Sequence, residues 1–133
     1  MRILGLDIGD KRVGLAITDK NSQVASPLMV LENNENIKEN IKKIIKAYGI
    51  RKIVVGIPYN LKGEIGHQAK KTLNFIDLNL SDLGIEIIKA DERFTSKIPK
   101  NQLQHLDKSV IDKYSACILL NDYLTKKLNN EKN

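Results

Sequence analysis

A chain of 133 residues, 41% hydrophobic and 29% charged, supports one core without staples, leaves no room for a second full domain, and is far from a disordered composition. One cysteine, Cys117, and two histidines, His67 and His105, exclude an internal disulfide and any multi-cysteine zinc site. No run of 18 apolar residues spans a membrane, and Asp7 interrupts the apolar start, so a soluble cytoplasmic protein is expected. The net charge of +6 suits a polyanionic partner, although 18 of the 22 basic residues are lysines, a bias that composition alone can write.

Residues 1–9 read as a first strand, with Leu4, Leu6 and Ile8 on one face and Ile3, Gly5 and Asp7 on the other. A turn at Gly9–Lys11 leads into a second strand over 13–18. A third strand runs from about Val24 to Leu31, where Pro27 signals an edge position or an interruption. The period then changes: Ile37, Ile41, Ile44, Ile45 and Tyr48 form one stripe of an amphipathic helix that ends before Gly49, and its other face is rich in lysine. The run 52–57 is apolar on both faces, as a buried parallel strand should be. After a loop at 58–63, Ala69, Leu73, Ile76, Leu80 and Leu83 predict a second helix that stops at Gly84. A last strand covers 85–89, a short helical piece lies around Lys100–Leu106, and a long helix runs from about Ser109 to Leu128. Residues 129–133 read as a frayed polar tail, leaving 1–128 as one domain.

Three antiparallel strands followed by two parallel additions through helices give an α/β fold, a mixed five-stranded sheet of order 3-2-1-4-5 with helices on both faces. This is the ribonuclease H-like layout.

Asp7 stands inside an apolar strand, where an unpaired carboxylate is costly, and glycines at 5, 9 and 14 leave room beside it. Asp91-Glu92-Arg93 follows the last strand, at the carboxyl end where open sheets bind ligands; strand alternation alone does not choose between the two acids. Asp112, early in the long helix, suits the helix dipole, yet it also shares a face with Ser115, Ala116 and Leu119. Three carboxylates without histidine or cysteine suit Mg²⁺ or Mn²⁺, and such a set serves phosphodiester hydrolysis. His67 and Cys117 read as surface and core residues respectively, and His105 as a bystander in the 97–109 stretch. With aromatics at 5%, no base-stacking platform is expected.

Four segments then resemble one family in order and over nearly the whole chain: Gly5-Leu-Asp-Ile-Gly-Asp-Lys-Arg-Val-Gly14, Val54-Val-Gly-Ile-Pro-Tyr-Asn60 with Gly63, Asp91-Glu-Arg-Phe-Thr-Ser96, and Val110-Ile-Asp-Lys-Tyr-Ser-Ala116. The sequence is similar to the YqgF or RuvX family, known as Holliday junction resolvases and as pre-16S rRNA nucleases. The resemblance implies a metal-dependent nuclease that acts on structured nucleic acid and matures the 5′ end of 16S rRNA in the cytoplasm. Its partners would be pre-rRNA and branched DNA, with no membrane, and the chain would be a monomer or homodimer. It maps the catalytic, metal-binding acids to Asp7, Glu92 and Asp112, taking Glu92 over Asp91, and places Lys11, Arg12, Asn60 and Arg93 at phosphate-contacting positions. Two departures stand out. Asp10 replaces a small polar residue, as a further metal-side ligand or as a charge opposing phosphate; and 97–109 is shorter than the family's usual loop. Two other classes compete: a non-catalytic module binding rRNA or the transcription machinery, and the actin-like ATPase and sugar-kinase group, which needs two such domains.

Overall fold

A computed structural model of the chain describes residues 1–92 and 108–132, with the side chains of 111 and 114–129 in the final helix. Two tight connections draw β1 (Arg2–Ile8), β2 (Arg12–Thr18) and β3 (Ala25–Glu32) into an antiparallel meander, and β4 (Ile50–Ile57) and β5 (Glu86–Asp91) add in parallel beyond β1. The sheet order is β3-β2-β1-β4-β5, as expected. Pro27 lies on the edge strand β3, opposite Ala16, where the register shifts past Leu28, so the missing N–H falls at an irregularity of an outer strand.

The two sheet faces have separate cores. Leu4, Leu6, Val13, Leu15, Ile53, Val55 and Ile57 point to helices α1 (Ile37–Tyr48) and α2 (His67–Asn79). Ile3, Ala16, Ala25 and Val54 point instead to the long helix α3 (Lys108–Lys132), through its Ala116, Cys117, Leu119, Leu120 and Leu124. Alternation along the strands does this sorting, since neighbours in sequence face opposite sides. Helix α1 matches its stripe: Ile37, Ile41 and Ile44 are buried, and Gly49, at φ +65°, closes the helix in the left-handed conformation with its N–H on the Ile45 carbonyl. Burial pushes the Cys117 thiol up, consistent with its place in the core.

Four boundaries differ from expectation, the first at β4, which begins at Ile50 rather than at 52. Helix α2 stops at Asn79 rather than running to Gly84: the Leu80 and Ser81 N–H groups both donate to the Ile76 carbonyl, and a turn closed by the Leu83 N–H on the Leu80 carbonyl follows. Its buried residues include Thr72 and Phe75, while Leu73 is half-buried. Strand β5 extends two residues further, to Asp91. Helix α3 continues through 129–132, so most of the polar tail is helical backbone. The stretch 97–109 and the helical piece expected at 100–106, with His105, fall outside the described residues except for the first two positions of α3. Among the described residues, no helix is long and apolar enough to cross a membrane.

Candidate active site

The face covered by α3 carries the acids. Ile3 packs in the α3-side core, so Gly5 and Asp7 share that face. A Cβ on Gly5 would stand 3.1 Å from Leu120 Cβ and 3.3 Å from the Ala116 carbonyl oxygen, so the missing side chain is what lets α3 cross β1 closely. Gly5 therefore leaves room for the helix rather than for a ligand. Gly9 serves the turn, since its Cβ would lie 2.9 Å from the Arg12 carbonyl oxygen. Asp7, past the helix crossing, is half-buried, and the residue directly opposite it on β2 is Gly14.

On its other side Asp7 neighbours the end of β4. Leu6 pairs with Val55, and Gly56 comes next, on the same face as Val54. Gly56 pairs in turn with Ala90 of β5, which packs in the α3-side core, so Glu92, two residues on, returns to that face while Asp91 turns away. The Glu92 N–H donates to the Ile57 carbonyl at 3.1 Å, which fixes its backbone. A methyl group on Gly56 would occupy the position of the Glu92 carboxyl group. The Glu92 side chain thus lies across bare backbone of β4, in the direction of β1. Strands β1 and β5 are two spacings apart, about 10 Å, and the length of a glutamate spans much of one spacing.

Helix α3 runs opposite to β1. Ala116 and Leu120 cross Gly5, whereas Tyr123 reaches Lys52, whose strand neighbour is Ile3. Counting back six residues from the crossing raises the helix about 9 Å, nearly three strand residues, and brings the backbone of residue 112 level with positions 7–8 of β1. The side chain of Asp112 and all of Arg93 lie outside the described residues. Among the described residues no group of three histidine, cysteine, aspartate or glutamate side chains could hold a metal ion. Asp7 and Glu92 offer carboxylate oxygens on one face, a donor type that fits Mg²⁺ or Mn²⁺.

The turn between β1 and β2 displays Lys11, exposed, and Arg12, half-buried. Asn33, absent from the sequence reading, holds this turn from behind. Its Nδ2 donates to the Gly9 carbonyl at 2.8 Å and its N–H to the Lys11 carbonyl at 2.9 Å. No periodicity singles out an asparagine after a strand, so only the folded turn reveals it. Asp10 Oδ1 lies 3.2 Å from Lys71 Nζ on α2, beside a groove of about 320 Å³ that Gly9, Asn33 and Phe75 help to line. Helix α2 packs on the face opposite Asp7, so the carboxylate of Asp10 is paired on that side. Asn60 Oδ1 accepts the N–H groups of Lys62 and Glu64 at 3.0 and 2.9 Å, organising the loop after β4. The site as described is one carboxylate on β1 and another just past the end of β5, at one end of the sheet, bordered by a braced basic turn and an ordered loop.

Comparison with known proteins gives the chain's family and fold. Residues 1–126 match the model of the RuvX family, described as Holliday junction resolvase. A "Putative pre-16S rRNA nuclease" of Sulfurihydrogenibium sp. (strain YO3AOP1) is 45% identical over 132 residues, covering 94% of this chain and 90% of the relative. Another protein of that name, from Desulforudis audaxviator (strain MP104C), is 39% identical over 135 residues and covers 96% of each. In fold, the chain is similar to Thermus thermophilus RuvC solved in complex with a Holliday junction substrate, with a TM-score of 0.59, 12% identity and 96% of each chain covered. It is likewise similar to the fowlpox virus Holliday junction resolvase, with a TM-score of 0.55, 14% identity and 95% and 99% covered. Matched over nearly its whole length by the family model and by these curated relatives, the chain belongs to the RuvX family of nucleases.

Proposed function

We propose that residues 1–128 form one metal-dependent nuclease domain that hydrolyses phosphodiester bonds in structured RNA, and that in the cytoplasm it matures the 5′ end of pre-16S rRNA. The observation that carries this reading is the Glu92 carboxyl group lying over bare Gly56 on the face that also presents Asp7. Asp7, Glu92 and Asp112 would hold Mg²⁺ or Mn²⁺, which supplies water activation and neutralises charge on the leaving oxygen. Asp7 and Glu92 present carboxylate oxygens at the sheet end and set the direction from which a phosphate group is approached. Lys11, Arg12, Arg93 and the Asn60 loop orient the backbone of the substrate around that point, Lys11 and the arginines by charge and Asn60 through its loop. Asp10, paired with Lys71, adds little repulsion toward phosphate at the Asp7 face. The names of the curated relatives favour RNA, and the family description favours branched DNA as a second substrate class.

Cleavage of a pre-16S leader RNA and of a four-way DNA junction, with Mg²⁺ or Mn²⁺, tests the reading. Asp7→Asn is expected to lower cleavage at least about a hundredfold, the scale on which removing one preorganised electrostatic group acts. The variant should remain folded in chelator, because it relieves repulsion between acids. Asp77→Asn, on the exposed side of α2, should cleave like wild type. Full cleavage by Asp7→Asn would remove Asp7 from the reacting site, and a wild type that binds either substrate but cleaves neither with Mg²⁺ or Mn²⁺ would assign the protein to a binding role instead.

A further inference from the structure

The loop after β4 presents an apolar tip that neither the acids nor the basic turn require. Leu61, 87% exposed, is the most exposed large apolar side chain among the described residues, and Ile65 in the same loop is 60% exposed. A lone exposed leucine is ordinary, but this one sits on a backbone that is already ordered. Asn60 and Glu64 close the turn: the Asn60 N–H donates to the Glu64 carbonyl at 3.1 Å, Asn60 Oδ1 accepts from Lys62 and Glu64, and the Gly63 N–H donates to the Asn60 carbonyl at 2.9 Å. Gly63, at φ +80°, supplies the left-handed residue that the turn needs. Entropy lost on folding is not lost again on binding, so a tip held this way can grip a ligand rigidly.

The root of the loop is tied to the site at a single atom. The Ile57 carbonyl accepts both the Tyr59 N–H at 2.9 Å and the Glu92 N–H at 3.1 Å. Strand β4 also lies between β1 and β5, the strands that deliver Asp7 and Glu92. A nucleic acid lying across the two acids therefore passes the end of β4 from which this loop departs.

An aliphatic tip is no aromatic platform for unpaired bases; it is shaped to press on the flat face of a base pair. Inside a continuous duplex such a wedge must break a stack. Where a helix meets a single strand, the terminal pair already faces water, and an apolar cover is gained without unstacking. We infer that Leu61, with Ile65, caps the terminal base pair of a double helix at its junction with a single strand, and thereby selects the phosphodiester bond presented to Asp7 and Glu92. The inference rests on the nuclease reading above, in which nucleic acid crosses the acid pair.

The test uses the full chain and an RNA hairpin with a single-stranded extension, carrying 2-aminopurine in the pair at the junction, with Ca²⁺ replacing Mg²⁺. Wild type should change the fluorescence at least about twofold on saturation. Leu61→Ser should lose that change and bind the hairpin roughly tenfold more weakly, while its affinity for an unpaired strand stays within about twofold; Leu61→Phe should restore both. Circular dichroism and Tm of the serine variant should match wild type, since Leu61 touches no core. An unaltered fluorescence response in Leu61→Ser overturns the cap, as does equal weakening on hairpin and unpaired strand. A wild-type protein that binds the hairpin with silent 2-aminopurine overturns the cap alone and leaves the apolar tip to a protein partner. A wild type that binds neither this RNA nor branched DNA overturns the nuclease reading and the cap together.

Discussion

Replacing Gly56 by alanine sets a methyl group where the Glu92 carboxyl group lies. The obstructing atoms are the far end of a side chain beyond the last strand residue, so Glu92 can swing away at small cost, and stability should change by no more than about 1 kcal/mol. Activity should not survive the displacement: misplacing a reacting group by an ångström costs about a hundredfold, and cleavage by Gly56→Ala should fall at least that far while its urea midpoint stays near wild type. Near-normal cleavage would mean that Glu92 acts from some other position. Asp7 was readable from sequence because a carboxylate in an apolar strand is chemically out of place. Gly56 was not, because its need comes from a side chain 36 residues later. Periodicity ends the strand two residues early, so only family resemblance prefers Glu92 to Asp91; alternation through Ile88 and Ala90 puts Glu92, not Asp91, on the face of Asp7. Asn33 and the paired Asp10 required the folded turn.

Elements were readable where one stripe dominates. Helix α1 has three buried isoleucines and a glycine at its end, and it folds as its pattern says. Helix α2 is shorter than its apolar period, because Leu80 and Leu83 keep that period while the Leu80 and Ser81 N–H groups converge on the Ile76 carbonyl and a turn follows. The β2–β3 connection shows how one short side chain shapes an element. Asp19 Oδ1 accepts the N–H groups of Gln23 and Val24 at 2.7 and 3.0 Å, and the Asp19 N–H returns to the Val24 carbonyl. The bond from Val24, then that from Gln23, hold the Asp19 carboxyl below the usual carboxylate range. A lowered folded-state value means the stabilisation is present above the unfolded value near pH 4 and is lost as the pH falls through the folded value. Asp82, lowered by the Lys38 ammonium 2.7 Å away, acts in the same direction. Asp19→Asn keeps the acceptor but removes the titration, so its Tm should fall less steeply than that of wild type between pH 4 and pH 2. Parallel Tm profiles would assign acid sensitivity elsewhere, with Asp82 the next residue to replace.

Across the whole molecule, charge and architecture point in different directions. Helix α1 carries a dense run of lysines, but it packs on the face opposite Asp7, and Lys38 and Lys42 are paired with Asp82 and Glu39. Exposed pairs of this kind contribute little to stability, yet they reduce the charge available to a polyanion. Reversing Lys42 and Lys43 to glutamate should leave the slope of log K against log salt for RNA binding changed by less than about 1, whereas replacing Lys11 and Arg12 by alanine should reduce it by about 1 to 2. A large change with the first pair would move the binding surface to the far face of the sheet. Composition alone assigned +6 to the molecule; only the fold assigns the charges to sides.

The separation of the two cores also orders events in time. The sheet is complete once residue 91 has been made, and α1 and α2 already cover one of its faces. Among the described residues, the other face, with Ile3, Ala16 and Val54, finds its helical apolar partners in residues 116–124. A chain about two-thirds made thus carries Asp7 and Glu92 on a face that α3 does not yet cover. The polypeptide grows on the same kind of particle whose RNA its relatives are named for cutting, and docking of a late helix is the step that would arm it.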